Sequence, residues 1–347
     1  MFINVIELSR ILALTAIAFA VAIAWTPLLT HFLYKFNLGK QIRSGGKTPI
    51  FTSLHQHKEG TPTMGGILIW GTVFLLLAIF FVINKFFPES SFAEFNFLDR
   101  GQTYLPLAAL GAAAIVGLAD DLFGIWRIGP FGGGLRMRHR LVSYGAIAIL
   151  GAWWFYDKLD WSIIHIPFYG EFNIGWWYIP FFIFIIVATS FSVNETDGLD
   201  GLAGGVLVLS FASYAILAFA EGKYDLAALI AVIIGALLAF LWFNIPPARF
   251  FMGDTGSMPL GITLGIIAML TNQSLLLPLI GFILVMESAS VIVQLTSKKV
   301  FKRKIFHSTP IHHHFEAIGW PESKIVMRFW VISAVMAGMG IIVGLIG

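Results

Sequence analysis

Long apolar runs separated by short polar segments constrain this chain more than any other feature of its sequence. A run of about 18 or more apolar residues can cross roughly 30 Å of hydrocarbon as a helix. Hydrophobic residues make up 58% of the 347 residues and charged residues only 12%, a balance that excludes an ordinary soluble domain. The sequence therefore predicts an all-α integral membrane protein in which residues 1–347 form a single polytopic domain.

We expect about ten membrane-spanning helices, with ends defined only to within a few residues. The segment 157–175 alternates apolar and polar residues and predicts a small hairpin outside the membrane. The predicted spans are residues 11–33, 64–84, 103–119, 139–156, 176–193, 201–220, 226–243, 258–272, 275–297 and 329–346.

Lysine and arginine are distributed unequally between the loops at the two ends of these spans. Loops that follow the odd-numbered spans contain 17 of the 22 basic residues, and the opposite side contains 5. Because short cytoplasmic loops are enriched in Lys and Arg, the odd-numbered loops are predicted to be cytoplasmic. An even number of spans then places both termini on the outer, periplasmic side, and the unusual polar motifs at the cytoplasmic face.

The stretch Arg249–Ser257 places a single carboxylate, Asp254, between two apolar runs and surrounds it with Gly, Thr and Ser. Small residues let backbone N–H groups approach an anion, and a helix that starts here adds the positive end of its dipole. Asp254 could then hold a divalent metal ion while the loop binds phosphate oxygens. A polar turn in which Asp254 caps the following helix is the alternative.

Two adjacent carboxylates, Asp120 and Asp121, end the third predicted span. They repel each other and oppose the dipole at the C-terminal end of a helix, so a role as an interfacial helix cap explains them poorly. A cation or a shared proton between them would offset this cost. We therefore expect both residues to take part in function.

An acidic loop follows the fifth predicted span. It extends from Asn194 to Leu202 and contains Glu195, Asp197 and Asp200 without a basic residue. Its two Asp-Gly steps form sharp turns, and carboxylate and water oxygens are the ligands that Mg²⁺ prefers. An ordinary turn is the alternative, but negative charge is unusual on the side of a membrane that carries the lysines and arginines.

Basic side chains occur at the same predicted face. Lys58 precedes the glycine-rich segment 60–66 and suits a phosphate or carboxylate, although positive flanking of a membrane span gives the same pattern. Three adjacent histidines, 312–314, could bind zinc, but neighbours on a helix point about 100° apart and the chain has no cysteine. Phosphate contact or acid–base chemistry is an equal alternative.

Glu287, inside the ninth predicted span, is a separate candidate. It is either functional or a buried packing residue.

Acids and bases at one membrane face are the groups that phosphoryl transfer requires. Carboxylates can hold a metal ion, and lysine, arginine and histidine can hold phosphate oxygens. Placement at a membrane implies that one of the substrates is a lipid phosphate.

Five motifs in sequence order give the chain a resemblance to a known family. They are GTPTMGG at 60–66, Asp120-Asp121, NETDGLDGLAGG at 194–205, FFMGDTGS at 250–257 and PIHHHFE at 310–316. The chain resembles the phospho-N-acetylmuramoyl-pentapeptide transferases, a family of the polyprenyl-phosphate N-acetylhexosamine-1-phosphate transferase superfamily. The resemblance extends over nearly the whole chain and includes the ten-span layout.

The resemblance implies a multi-pass enzyme of peptidoglycan synthesis in the bacterial inner membrane. Its reaction would join UDP-N-acetylmuramoyl-pentapeptide to undecaprenyl phosphate, giving lipid I and UMP, with Mg²⁺ as cofactor. Membrane lipid would surround the enzyme, a homodimer is one expected assembly, and no nucleic-acid partner is expected.

The resemblance also implies roles for individual residues. Catalytic roles are assigned to Asp120, Asp121, Asp254 and His313, and the expected Mg²⁺ ligands are Asp121 and Asp254. Contacts with the substrates are assigned to Lys58, Thr63, Asn194, Asp197, Asp200, Asn244, Ser257, His312 and His314.

Two positions depart from the family's usual pattern. Phe191 stands where the family usually has an asparagine before the acidic loop, so any role of that asparagine is lost or moved here. Arg140 replaces a lysine that usually follows the acid pair. This change keeps the positive charge but argues against proton transfer at that position.

Two other functions fit parts of the pattern. A sister enzyme transfers N-acetylglucosamine-1-phosphate to the same lipid, and the segments PTMGG and PIHHHFE favour the muramoyl-pentapeptide substrate over it. A secondary transporter would also have many spans. Transporters, however, usually place polar residues near the middle of the membrane, whereas here Glu287 is the only acid or base deep in a predicted span.

Overall fold

A computed structural model of the protein describes residues 4–39, 58–129 and 133–347 and shows a bundle of α-helices. In chain order the helices are α1 (Val5–Lys35), α2 (Gly66–Phe86), α3 (Tyr104–Ile125), α4 (Met137–Trp153), α5 (Tyr178–Thr196), α6 (Leu202–Ala220), α7 (Tyr224–Asn244), α8 (Asp254–Leu270), α9 (Leu277–Ile280), α10 (Phe282–Val300), α11 (Ile311–Ala317) and α12 (Glu322–Ile346). Lys40, Arg43 and Lys47, which the charge count assigns to the cytoplasmic side, lie outside the described residues.

Seven of the described helices are long and apolar enough to cross a membrane, namely α1, α2, α3, α5, α6, α7 and α12. The segment formed by α9 and α10 is bent by 87° and makes an eighth if it counts as one span. Each predicted span overlaps a helix, but α4 and α8 have only 17 residues each. The structure therefore shows a multi-pass helical membrane protein, with seven or eight candidate spans among the described residues where the sequence predicted about ten.

Helix α8 lies at the centre of the bundle. Every residue from Thr255 to Leu270 is buried, as expected for a helix that is apolar on all sides. Glycines let two neighbouring helices approach its first turn. A β-carbon on Gly66 of α2 would overlap Gly256, and one on Gly117 of α3 would overlap the backbone of Asp254. The start of α2 and the last turns of α3 therefore hold the first turn of α8 in place.

The predicted hairpin between α4 and α5 is confirmed. Strands β1 (Ile163–Ile166) and β2 (Gly170–Asn173) pair in antiparallel orientation. The hairpin lies at the end of the bundle opposite Asp254, because the His165 N–H donates to the side-chain oxygen of Asn272, just after α8 ends, at 3.2 Å. The two ends of α8 thus mark two ends of the molecule, one with the hairpin and one with Asp254.

The first and last helices both reach the hairpin end. Arg10, in the second turn of α1, forms a 2.7 Å ion pair with Asp225 at the start of α7. The Phe168 N–H, in the turn of the hairpin, donates to the carbonyl oxygen of Gly347 at 3.0 Å. The helix ends at the opposite, Asp254 end carry the polar motifs that the sequence singled out.

Candidate active site

The carboxylate of Asp121, at the end of α3, caps the N-terminus of α8. Its Oδ2 accepts hydrogen bonds from the Thr255 N–H at 3.0 Å and from the Thr255 hydroxyl at 2.7 Å. These bonds satisfy a backbone donor that the first helical turn leaves free and place negative charge at the positive end of the helix dipole. The helix start that was expected to meet a phosphate is thus paired with a carboxylate of the same chain. Asp254 is the first residue of α8, and Gly253 is the N-cap. The alternative in which Asp254 caps this helix is therefore wrong.

Three of the predicted site residues meet at Gly253, directly before α8. The Gly253 N–H donates to Asp197 Oδ2 at 3.1 Å. A β-carbon at this position would overlap Asp121 Oδ2 and would lie 2.5 Å from the Thr63 hydroxyl oxygen. The backbone of Gly253 also has a φ of +71°, a left-handed value that favours glycine. Any larger residue here would displace Asp121 and Thr63.

The guanidinium of Arg140 lies between Asp120 and Asp254. Its Nε is 2.6 Å from Asp120 Oδ2, and a terminal nitrogen is 2.6 Å from Asp254 Oδ2. Asp120 is buried, and its other oxygen accepts a hydrogen bond from the Leu135 N–H at 2.5 Å. A guanidinium presents several donors in a rigid plane and can serve two carboxylates at once, which a single ammonium does less well. The arginine noted as a departure from the family pattern therefore joins two of the predicted catalytic acids.

Asn194 completes this group of side chains. Its side-chain nitrogen donates to Asp254 Oδ1 at 2.5 Å and to the Ser257 hydroxyl at 3.0 Å, and its oxygen accepts from Arg140 at 3.2 Å. We call Asp120, Arg140, Asn194 and Asp254 the acid–guanidinium cluster. Helices α3, α4, α5 and α8 each contribute one of its members, so the cluster forms only when these four helices pack together.

Lys58 forms a second polar group beside the acidic loop. Its ammonium is 2.7 Å from Asp200 Oδ1 and 2.6 Å from Glu322 Oε1. Asp200 Oδ2 also accepts from the Ala248 N–H at 3.1 Å. Sequence reasoning predicted Lys58 and Asp200 but missed Glu322. Its only signal was its position in the first turn of a helix directly after Pro321.

Asn244 joins the acidic loop to the loop that precedes α8. Its side-chain oxygen accepts from the Gly201 N–H at 2.8 Å, and its nitrogen donates to the Phe250 carbonyl at 2.9 Å. The side chain is buried, and both ends of its amide are hydrogen-bonded to backbone. These contacts position the two loops, and contact between Asn244 and a substrate stays a prediction.

The first two of the adjacent histidines are each paired with a glutamate. His312 Nδ1 is 2.9 Å from Oε2 of Glu287, and His313 Nδ1 is 2.6 Å from Oε2 of Glu316. Burial lowers the pKa of His312, but the carboxylates of Glu287, Glu316 and Glu195 together raise it, so the pKa lies above its ordinary value. The two imidazoles therefore serve different partners, as expected for neighbours that point about 100° apart on a helix.

The third histidine, His314, stacks on His307 with the ring centroids 5.3 Å apart. Burial and the neighbouring His307 lower the pKa of His314. Within the described ranges, no three His, Asp or Glu side chains are grouped so that they could hold a metal ion together. The three adjacent histidines thus do not form a shared zinc site in this arrangement.

The chemistry of the acids nevertheless fits a hard divalent cation. Asp120, Asp121 and Asp254 supply only oxygen donors, as Mg²⁺ prefers. They lie where the last turns of α3 meet the first turn of α8. Positive charge between Asp120 and Asp254 comes from Arg140 in this structure. A cation bound by Asp120 or Asp254 would therefore contact a carboxylate that is also paired with the Arg140 guanidinium.

Two family models and several full-length relatives match this chain. A family model described as glycosyl transferase family 4 matches residues 104–272, and the phospho-N-acetylmuramoyl-pentapeptide-transferase signature 1 matches residues 58–69. A phospho-N-acetylmuramoyl-pentapeptide-transferase from Chloroflexus aggregans is 37% identical, with 98% of this chain and 91% of its own length aligned. A protein with the same name from Geobacillus thermodenitrificans is 37% identical, with 94% of this chain and 95% of its own length aligned. Another, from Bacillus anthracis, is 35% identical, with 96% of this chain and 98% of its own length aligned.

The chain belongs to the phospho-N-acetylmuramoyl-pentapeptide-transferase family. The short signature includes Lys58 and Thr63, and the longer family model includes the whole acid–guanidinium cluster. The resemblance drawn from the five motifs is thus confirmed over nearly the full chain. As a member of this family, the chain is a phospho-sugar transferase, and its long apolar helices make it a multi-pass membrane protein.

Proposed function

We propose that this chain transfers phospho-N-acetylmuramoyl-pentapeptide from its UDP-linked donor to undecaprenyl phosphate. The products are lipid I, a precursor of peptidoglycan, and UMP. The observation that best supports the proposal is the acid–guanidinium cluster, which brings two acids, a guanidinium and an amide to one end of four helices. Such a group can hold and orient phosphate groups, which phosphoryl transfer requires more than any covalent step by the protein.

The proposal includes a membrane orientation. We place the Asp254 end of the bundle at the cytoplasmic face of the inner membrane and the hairpin end at the periplasmic face. In support, most lysines and arginines fall in the loops predicted at the Asp254 end. Arg10 and Gly347, near the two ends of the chain, both contact the opposite end. Ten spans, with the short helices α4 and α8 counted among them, fit this arrangement.

Mg²⁺ is proposed as the cofactor, held by Asp121 and Asp254. When bound, it would neutralise charge on the diphosphate of the donor. Residues of the chain do the remaining work. The Arg140 guanidinium and Asp120 position the phosphate of the lipid, while Lys58, Asp200 and Asn194 hold the nucleotide-sugar.

Transfer proceeds in a single displacement. An oxygen of the lipid phosphate forms a bond to the β-phosphorus of the UDP-sugar, the bond from that phosphorus to the bridging oxygen breaks, and UMP leaves. A phosphate oxygen is already a competent nucleophile, so no carboxylate is needed to attack. Asp120, buried and paired with Arg140, is better suited to binding and orienting the lipid phosphate than to attacking phosphorus.

A comparison of donors tests the proposed function. The purified protein is incubated with polyprenyl phosphate, Mg²⁺ and either labelled UDP-N-acetylmuramoyl-pentapeptide or labelled UDP-N-acetylglucosamine. Label should enter the lipid fraction only from the muramoyl-pentapeptide donor. Transfer from the N-acetylglucosamine donor alone would identify the sister activity. Uptake of a solute into sealed vesicles without any transfer would identify a transporter.

A further inference from the structure

Glu287 and His312 form a fully buried pair that the proposed reaction has not used. Glu287 lies in α10, and His312 is the second residue of α11. Neither side chain has exposed surface. Glu287 Oε2 is 2.9 Å from His312 Nδ1 and 3.4 Å from the His312 backbone nitrogen. One carboxylate oxygen therefore fixes both the ring and the backbone of the same histidine.

The other ring nitrogen of His312 is directed at the acidic loop. Nε2 is buried and has no hydrogen-bond partner within the described part of the chain. A β-carbon on Gly198 would overlap this nitrogen and would lie 2.7 Å from the adjacent Cε1. The absence of a side chain at Gly198 thus leaves room for Nε2 beside the loop that contains Asp197 and Asp200.

We infer that Glu287 is a positioning residue for the transfer reaction, which holds His312 so that its Nε2–H donates to a phosphate oxygen of the nucleotide-sugar. This inference rests on the proposed function, because that function supplies the phosphate. A carboxylate on one ring nitrogen fixes the orientation of the imidazole and leaves the other nitrogen for the ligand. Glu287 itself does not touch the substrate.

The charges around His312 favour the form that donates from Nε2. Glu287, Glu316 and Glu195, from three different helices, all raise its pKa against the effect of burial. His313 is a further titratable neighbour, with its ring centroid 4.1 Å from that of His312. A protonated imidazole carries hydrogen on both nitrogens, so it can bind Glu287 and a phosphate oxygen at the same time.

A purely structural role explains Glu287 less well. Its second oxygen, Oε1, is buried and has no hydrogen-bond partner among the described residues. A buried carboxylate costs desolvation energy, and replacing a buried ion pair by well-packed apolar residues is often neutral or stabilising. A charged pair at this position is therefore better explained by the charge and orientation that it gives His312.

The Glu287→Gln variant of the full-length protein tests the inference. Glutamine keeps the shape of the side chain and removes the charge, so the pKa of His312 should fall. We expect kcat to fall at least tenfold, KM for the lipid to change less than threefold, and the alkaline limb of the kcat profile to move to lower pH. Gly198→Ala should also lower kcat at least tenfold, because the added carbon displaces Nε2. Ser290→Ala is the matched control in the same helix, since among the described residues its hydroxyl donates to the Glu287 carbonyl at 2.7 Å and not to the Glu287 carboxylate.

A second measurement does not depend on substrate. In protein labelled with ¹⁵N-histidine, the Nδ1–H resonance of His312 should shift in Glu287→Gln and stay unchanged in Ser290→Ala. A folded Glu287→Gln protein with wild-type kcat and an unchanged pH profile would overturn the inference. Should that variant not fold, Glu287→Asp, one methylene shorter, must show the same kcat loss and resonance shift. Absence of all transfer by the wild type, with the resonance shift still seen, would reject the proposed function while leaving the Glu287–His312 contact intact.

Discussion

Replacing Arg140 by glutamine should destabilise the protein and make its stability depend on a divalent cation. The guanidinium contacts Asp120 and Asp254 at 2.6 Å each, and the side chains of these three residues are 17%, 0% and 14% exposed. Removing one partner of a buried ion pair costs about 3–5 kcal/mol, because the remaining charge stays buried without compensation. Here two carboxylates would lose their shared cation, so we expect a loss in the upper part of that range.

Thermal unfolding of the purified protein in detergent, with EDTA or with Mg²⁺, measures this effect. Arg140→Gln should unfold at a clearly lower temperature than wild type in EDTA and should recover more than wild type when Mg²⁺ is added. A ligand that binds only the folded state stabilises it by mass action. Arg138→Gln is the control, since it removes the same charge from an exposed position on the same helix. Equal stability of the two variants in EDTA, or equal stabilisation by Mg²⁺, would refute the role assigned to Arg140.

Three further predictions concern the catalytic assignments. Asp254→Asn should lose more than nine-tenths of wild-type turnover at saturating Mg²⁺ while keeping its fold; a smaller loss, below about 1.4 kcal/mol, would reject Asp254 as a metal ligand. His313→Ala should slow transfer without changing zinc content, because the adjacent histidines bind separate partners; stoichiometric zinc that disappears in this variant would contradict that account. Without lipid phosphate, labelled UMP should not exchange into UDP-N-acetylmuramoyl-pentapeptide; exchange together with a sugar-phosphoryl adduct on Asp120 would establish a covalent route.

Apolar patterning predicted where helices form, while the number of helices that cross the membrane stays a prediction. Each predicted span overlaps a helix, because long apolar runs in a bilayer satisfy their backbone only as helices. The apolar sequence of α8 is consistent with its burial, but no local pattern shows which helices cover it or that Gly66 and Gly117 let them approach its first turn. The bend of 87° between α9 and α10 was also absent from the hydropathy pattern.

Residue types and motif order predicted which groups form the site but not how they pair. Asp120, Asn194 and Asp254 were identified from their local sequence, yet that sequence does not show that Arg140 contacts all three or that Asn194 donates to Asp254. Glu322 lies 264 positions from Lys58 in sequence, so no spacing rule connects them. Pairings of this kind are set by helix packing, which brings together residues that are far apart in the chain.

The fate of the β-phosphate tests the central claim most directly. The purified protein, reconstituted with undecaprenyl phosphate and Mg²⁺, is given UDP-N-acetylmuramoyl-pentapeptide labelled with ³²P at the β-phosphorus. Transfer of the phospho-sugar predicts that label enters the organic phase as a lipid diphosphate, with one UMP released for each label transferred. Recovery of the label in water-soluble UDP, with unlabelled sugar on the lipid, would show that only the sugar is transferred and would contradict the account.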